Sequence, residues 1–345
     1  MNILLLLAHS IEEHDQLLLL SELGYDPFSI GGYINPGSPH DPKRPPLPQV
    51  PYHPELQAVV DGLGTADNLR AAKEHLPDDL IDWADTIVVH HYGHTWLVPQ
   101  WDRIKHKRVI WRTVGQSVEH NERMMAPLRD EGLQIVRYSP RERNLPGYAG
   151  EDALIRFWKD PAEWDGWTGH VPAVVNFTQH LFQREPYTNW GFWDQATQGL
   201  DRVAMGPGSE AIGGTGERSY EEMKQALRDY RCYLYTGTQP ASYTLGLIEA
   251  MMTGIPVVSI APQFMRIFAY GPDLFEGDVL AGYDWSLADG AVRSDDEVIA
   301  EARTQVRYLL ESHDKARTIS GRMRERAIEL FGKATIAAQW KAFLG

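Results

Sequence analysis

Glu249 is an isolated charge: between Arg231 and Arg266 the chain carries no other Asp, Glu, Lys or Arg. Its neighbours Leu245, Leu247, Ile248, Met251 and Met252 are apolar, and an ionised carboxylate among them is costly unless a partner satisfies it. A ligand hydroxyl is one such partner. Ser242 or Thr244 is suited to cap a helix over 244–253 that Gly254 closes, and the β-branched run 255–260 reads as a buried strand. Such a helix offers backbone amides at Tyr243, Leu245 and Gly246 near its positive dipole end, where the absent side chain of Gly246 lets a phosphate approach closely. Glu249 then lies about one turn deeper, within reach of a ribose or sugar hydroxyl.

These residues resemble the retaining glycosyltransferases of family 4, whose GT-B architecture consists of two facing Rossmann-like α/β domains. The family carries a Glu, seven residues, a second Glu, Ala-Met, and a Gly-x-Pro-Val-Val strand. The second half stands here as Glu249-Ala-Met-Met-Thr-Gly-Ile-Pro-Val-Val, while the place of the first Glu is taken by Ala241. The resemblance implies a nucleotide-sugar donor, UDP- or GDP-linked by preference, held by Ser242, Tyr243, Thr244, Leu245, Gly246 and Glu249. Glu249 would serve the ribose, and the departure at Ala241 leaves the sugar unread. Leu200-Asp-Arg-Val-Ala-Met-Gly206-Pro-Gly208 is similar to the family's strand and Gly-x-Gly turn near the nucleotide base, so Gly206 and Gly208 join the donor set. The segment from Asp295 through Phe331 to Trp340 and Phe343 resembles the family's terminal helices, the last of which crosses back to the first domain.

A departing diphosphate needs its growing negative charge stabilised. Arg184 is the candidate cation, since a guanidinium forks onto phosphate oxygens; the lysine that usually accompanies it in the family does not follow it here, and a surface pair with Glu185 is the alternative reading. His90-His91-Tyr-Gly-His94 follows an apolar strand in the first half, where an α/β sheet meets its ligands. His91 is taken as a catalytic group and His94 as an acceptor contact, through hydrogen bonds to sugar hydroxyls. A metal site is the weaker reading, because no matching set of ligands accompanies them and GT-B enzymes typically need no metal; plain structural histidines are a third. Arg112 and Gln116 end another strand and could meet a phosphate, an acidic acceptor or a hydroxyl, or simply hold a loop. His9 and Ser10 stand after the first strand, where the family has a glycine-rich turn, and complete the acceptor set. Trp164, Trp167, Trp190 and Trp193 could form a stacking platform but are read as core or domain contacts. A Gly-x-Ser-x-Gly elbow and a Walker loop are absent, and the pairs Glu12-Glu13 and Glu221-Glu222 read as solvated helix faces.

The elements that must position these groups are α/β. Strands are expected at 3–8, 26–30, 86–90, 108–113 and 134–138, with helical periodicity at 11–23 and 67–76, and a second set of strands follows at 173–178, 202–205, 231–235 and 255–260. The proline-rich stretch 34–54 reads as a long loop. A change of composition near Arg141 and the Trp-rich stretch 158–169 mark the interdomain connection. The expected division is an acceptor domain over 1–160, a nucleotide-sugar domain over 161–325 and a returning helix over 326–345. A chain of 345 residues with 43% apolar content supports two such cores.

One cysteine, Cys232, excludes an intrachain disulfide and suits a reducing compartment. The opening apolar run lacks a basic leader and is far too short to span a bilayer, so a cytoplasmic protein is expected. The net charge of −14 argues against chain-wide attraction to nucleic acid or anionic membrane, and the basic cluster Arg103–Arg108 reads as a solvated helix end. The expectation is a retaining glycosyltransferase without cofactor or metal, moving a sugar to a hydroxyl on a glycan, lipid-linked sugar or small molecule. A modified base in duplex DNA is a narrower acceptor. A nucleotide-sugar epimerase and a non-catalytic nucleotide or sugar sensor are the alternatives.

Overall fold

A computed structural model describes residues 1–6, 10–30, 47–62, 75–90, 93–115, 117–238, 241–259 and 294–345. The chain divides into two compact units, Met1–Phe157 with Ile336–Gly345, and Trp158–Thr335.

The first unit is built on six parallel strands: β1 (Asn2–Leu6), β2 (Asp26–Ser29), β3 (Thr86–His90), β4 (Arg108–Arg112), β5 (Gln134–Arg137) and β6 (Ala153–Leu154), in the order β2-β1-β3-β4-β5-β6. Ile3, Leu4, Leu5 and Leu6 of β1 and Ile87, Val88 and Val89 of β3 are all buried. Continuous apolar runs of this kind are what a parallel sheet covered on both faces requires. The short β6 was not anticipated, since two residues carry no periodicity. The first helix, Ser10–Glu22, corrects the reading of its acids: Glu12 and Glu13 are buried at 5% and 4% exposure. Residues 12–17 are all buried, so this helix is enclosed around its circumference and has no solvated face in that stretch.

The helix Lys333–Leu344 enters the first unit from Ile336 onward. Arg108 secures its end, donating to the carbonyls of Phe343 (2.6 Å) and Leu344 (2.8 Å), which lack intrahelical partners and favour a cation. Arg103 and Lys105 of the same basic cluster form surface pairs with Asp78 and with Asp102 and Glu131.

The second unit carries four parallel strands, β7 (Val171–Asn176), β8 (Arg202–Ala204), β9 (Tyr230–Tyr235) and β10 (Val257–Ser259), in the order β10-β9-β7-β8. In both sheets the first strand lies between the second and the third. Chain direction around the sheet therefore reverses at β1/β3 and at β7/β9, and ligands of open α/β sheets bind beyond the carboxyl ends of such strands. Helix Leu245–Thr253 follows β9. Thr244 caps it by accepting from the Leu247 amide, and Gly254 ends it at φ 97°, a left-handed conformation that favours glycine. Among the described residues no helix is long and apolar enough to cross a membrane.

Candidate nucleotide site

The reversal point of the second sheet is tied together by neutral polar side chains. Asn176, the last residue of β7, donates to the Leu234 carbonyl (2.8 Å) and accepts from the Thr178 amide (2.7 Å). The hydroxyls of Thr178 and Thr236 stand 3.3 Å apart, and Asn189 donates to the Thr236 carbonyl at 2.8 Å. These residues were missed in the sequence because isolated Asn and Thr at strand ends carry no distinctive spacing.

The Gly206-Pro-Gly208 turn leaves β8 with φ of 107° at Gly206 and 80° at Gly208. His180 donates its amide to Pro207 (2.8 Å), and Gln183 donates its side-chain amide to the Gly208 carbonyl (2.9 Å). A Cβ on Gly208 would come within 2.6 Å of His180 Nδ1, so the close approach of the two segments needs this glycine. The contact brings together two features read separately, because the segment touching the glycine turn also carries Arg184. Arg184 is exposed and forms no ion pair among the described residues. Glu185, the alternative partner, accepts instead from the Trp190 amide at 2.6 Å.

At helix Leu245–Thr253, residues Thr244, Leu245 and Gly246 are half-buried. Among the described residues, a Cβ on Gly246 would meet nothing nearer than Thr244 Oγ1 at 4.0 Å. The first helical amides, at Leu245 and Gly246, have no acceptor within the helix. Tyr243 precedes the cap, so its amide is not one of the helical set, a correction to the expected start. Its side chain is buried against Phe331, the ring centroids 5.4 Å apart, and Ser242 is buried as well.

Glu249 is 4% exposed, and the partner its isolation demands lies within the chain: Lys159 Nζ stands 2.8 Å from Glu249 Oε1. The sequence offered a ligand hydroxyl as one partner for this carboxylate; the structure supplies Lys159 within the chain. Lys159 is 2% exposed, with Nζ 5.8 Å from the centroid of Trp164. Burial, then the neighbouring charges of Tyr235 and Glu249, push the Tyr233 hydroxyl well above the usual phenol range.

The corresponding end of the first sheet is rich in charge. Glu122 and Arg137 form a fork at 2.7 Å on both arms, with Ser117 donating to one carboxylate oxygen (2.5 Å) and the Ala149 amide to the other (2.8 Å). Glu142 accepts from Thr113 (2.8 Å) and from the Tyr138 amide (3.1 Å). Its carboxyl is pushed up to about 7 by burial, against the pull of Arg137 and those hydrogen bonds. Arg112 is buried, donating to the Ile155 carbonyl and lying over the rings of Phe157 and Trp340 at 5.1 and 5.7 Å. Its guanidinium thus serves the interior of the unit. His90 ends β3 with 1% exposure and Nδ1 3.9 Å from Glu12 Oε1; burial first, then Arg112, holds its ring well below the usual imidazole range.

His9, His91 and Gln116 lie outside the described residues, and Ser10 and His94 are placed by backbone alone, at the start of helix Ser10–Glu22 and in the turn Gly93–Leu97. The four tryptophans do not form one platform: Trp190 stacks on Trp193 at 5.7 Å, Trp167 stacks on His313, and Trp164 is buried. Among the described residues no three His, Cys, Asp or Glu side chains are grouped to hold a metal.

No protein-family model matches the sequence, and no curated protein matches it. Solved structures match along the whole chain. Sucrose-phosphate synthase from Thermosynechococcus elongatus aligns with a TM-score of 0.66 at 13% identity, covering 99% of this chain and 98% of that one. A glycosyltransferase from Rickettsia africae gives 0.66 at 12%, covering 99% and 97%. HepE of Anabaena in complex with UDP-glucose gives 0.62 at 14%, covering 100% and 99%. The fold is accordingly GT-B, an α/β architecture with two parallel sheets, as the resemblance implied. A shared fold at these identities does not by itself transfer an activity.

Proposed function

We propose that the chain is a retaining, hexosyltransferase-like glycosyltransferase that moves a sugar from a nucleotide-sugar to a hydroxyl acceptor. The observation that carries this reading is the start of helix Leu245–Thr253: half-buried residues Leu245 and Gly246 with helix-start amides, space beside Gly246 that no described residue fills, and a carboxylate one turn deeper. Amides at a helix N-terminus attract the diphosphate, and Glu249 meets the ribose. Arg184, exposed beside the Gly206-Pro-Gly208 turn, adds the cation that stabilises the departing diphosphate as its charge grows. The turn itself takes the base. The presence of UDP-glucose in HepE of Anabaena supports a UDP-sugar as the first donor to try.

Acceptor recognition belongs to the carboxyl ends of β1, β3 and β4, with His9, Ser10, His91, His94 and Gln116 as contacts. Attack on the same face as the leaving group, with the departing phosphate oxygen taking the acceptor proton, retains configuration without a dedicated carboxylate base. A second reading, nucleotide-sugar binding without transfer, is favoured by Ala241 standing where the first Glu would serve the sugar. Incubation with UDP-, GDP-, ADP- and dTDP-sugars, with and without simple glycosides, separates them. Nucleotide release with a new glycosidic bond of unchanged anomeric configuration is the expected result. Inverted product would remove the retaining assignment, conversion of donor alone would mark an epimerase, and tight binding without turnover would mark a sensor.

A further inference from the structure

We infer that Gln183 is a positioning residue for the donor, clasping the Gly206-Pro-Gly208 turn to the segment that carries Arg184 so that the base site and the diphosphate cation keep a fixed separation; the inference rests on the donor site proposed above. The stretch from Phe177 to Asn189 contains no helix or strand, so its shape depends on bonds to its surroundings. Its ends are tied to the sheet: the Thr178 amide donates to Asn176 Oδ1 (2.7 Å), and Asn189 Nδ2 donates to the Thr236 carbonyl (2.8 Å). Thr188 closes the interior by donating its hydroxyl to the Leu181 carbonyl (2.6 Å), and the Arg184 amide donates to the His180 carbonyl (3.0 Å). Arg184 thus stands on a backbone held at both ends and across its middle.

The same stretch grips the glycine turn at two successive carbonyls. The His180 amide donates to Pro207 at 2.8 Å, and Gln183 Nε2 donates to Gly208 at 2.9 Å. His180 takes a φ of 52°, a left-handed conformation uncommon for a residue with a side chain, and Gly208 lacks the Cβ that would come within 2.6 Å of His180 Nδ1. Two departures from ordinary backbone geometry meeting at one contact mark an arrangement that its surroundings over-determine, a pattern that clusters at ligand clamps. The base and the diphosphate belong to one ligand, and a ligand that engages two sites at once gains affinity only when their separation matches its span. His180 bonds the turn through its amide and Arg184 through its carbonyl, while Gln183 adjoins Arg184 in the chain. Only the Gln183 contact is made by a side chain, so it is the one a substitution removes. That side chain is exposed, where a hydrogen bond adds little to the stability of the fold.

The test is isothermal titration of wild type and Gln183→Met, which keeps the length of the side chain without its donor, with UDP, GDP, ADP and dTDP. The nucleoside of whichever diphosphate binds, and inorganic diphosphate, are then followed separately by ligand-observed NMR. Gln183→Met should weaken the nucleoside diphosphate by about tenfold and leave the two fragments bound as in wild type, because each half of the site survives and only their spacing is lost. Arg184→Ala should weaken the nucleoside diphosphate by itself, and adding Gln183→Met to it should cost nothing further, since the glutamine acts through the placement of the arginine. The double variant decides the matter however weakly the fragments bind. Thermal unfolding of Gln183→Met should move little. A folded Gln183→Met protein that binds the nucleoside diphosphate as tightly as wild type would overturn the inference while leaving the donor site standing. Equal losses for a separate fragment, or independent losses that add in the double variant, would overturn it as well. A wild-type protein that binds none of the four nucleotides would overturn the donor site itself and this inference with it.

Discussion

The two sheets share a strand order and differ at their carboxyl ends. In the first unit that end is occupied by charges that satisfy one another: Glu122 is held by Arg137, Ser117 and the Ala149 amide, and Arg112 is held by Ile155 beneath two aromatic rings. In the second unit the reversal point is latched by Asn176, Thr178, Thr236 and Asn189, and beside it stand a half-buried helix start, a glycine turn and an exposed arginine. The same topology thus stabilises itself with ion pairs in one place and leaves backbone donors and a guanidinium outward in the other. Charge is a poor guide here: the cluster around Glu122 and Arg137 is held by partners within the unit, and the proposed donor site is read from a largely neutral stretch.

Breaking the closed cluster should produce the largest change in stability. Arg137→Met leaves Glu122 buried without its fork and should lower unfolding free energy by about 3–5 kcal/mol, measured by urea denaturation. Nucleotide affinity of the protein that remains folded should be unchanged; a specific loss of nucleotide binding would break the contrast.

Glu142 sharpens it through pH. Its folded carboxyl titrates at about 7 against an ordinary value of 4.5, so the folded state binds the proton more tightly than the unfolded chain. The contribution of Glu142 to stability therefore falls as pH rises from 4.5 to about 7 and is level above that. Relative to Glu142→Gln, wild type should lose on the order of 3 kcal/mol across that window, followed by paired denaturation curves at each pH. A flat difference would show that Arg137 keeps Glu142 ionised throughout.

Smaller effects belong to the second unit. Gly208→Ala forces a left-handed φ on alanine and a methyl onto His180, costing about 1–2 kcal/mol and disturbing the turn assigned to the base. Thr244→Ala removes the helix cap at a cost of about 1 kcal/mol; thermal unfolding checks both.

Much of this fold was legible because buried parallel strands read as short apolar runs: 86–90 was located to the residue, and β4, β5 and β9 to within one. The helix after β9 was legible from Thr244, Gly254 and the apolar residues between them. What escaped reading were pairings across long separations. Nothing near Lys159 in the sequence points to Glu249, and the fork of Glu122 on Arg137 joins a helix to a strand end with no spacing rule. Arg112 shows the converse hazard, since a charge at a strand end can turn inward to hold a returning helix as readily as outward to a ligand. Glu12 and Glu13 teach the same of helices, whose polar residues are solvated only where a face is left uncovered.

The most direct measurement is titration of UDP and UDP-glucose into wild-type protein and Glu249→Gln, with circular dichroism confirming that both are folded. Binding by wild type that weakens at least about tenfold in the variant is the predicted result. Equal affinity in the two, or no binding by wild type to these or to GDP, ADP and dTDP ligands, would contradict the assignment of the second unit as the donor site.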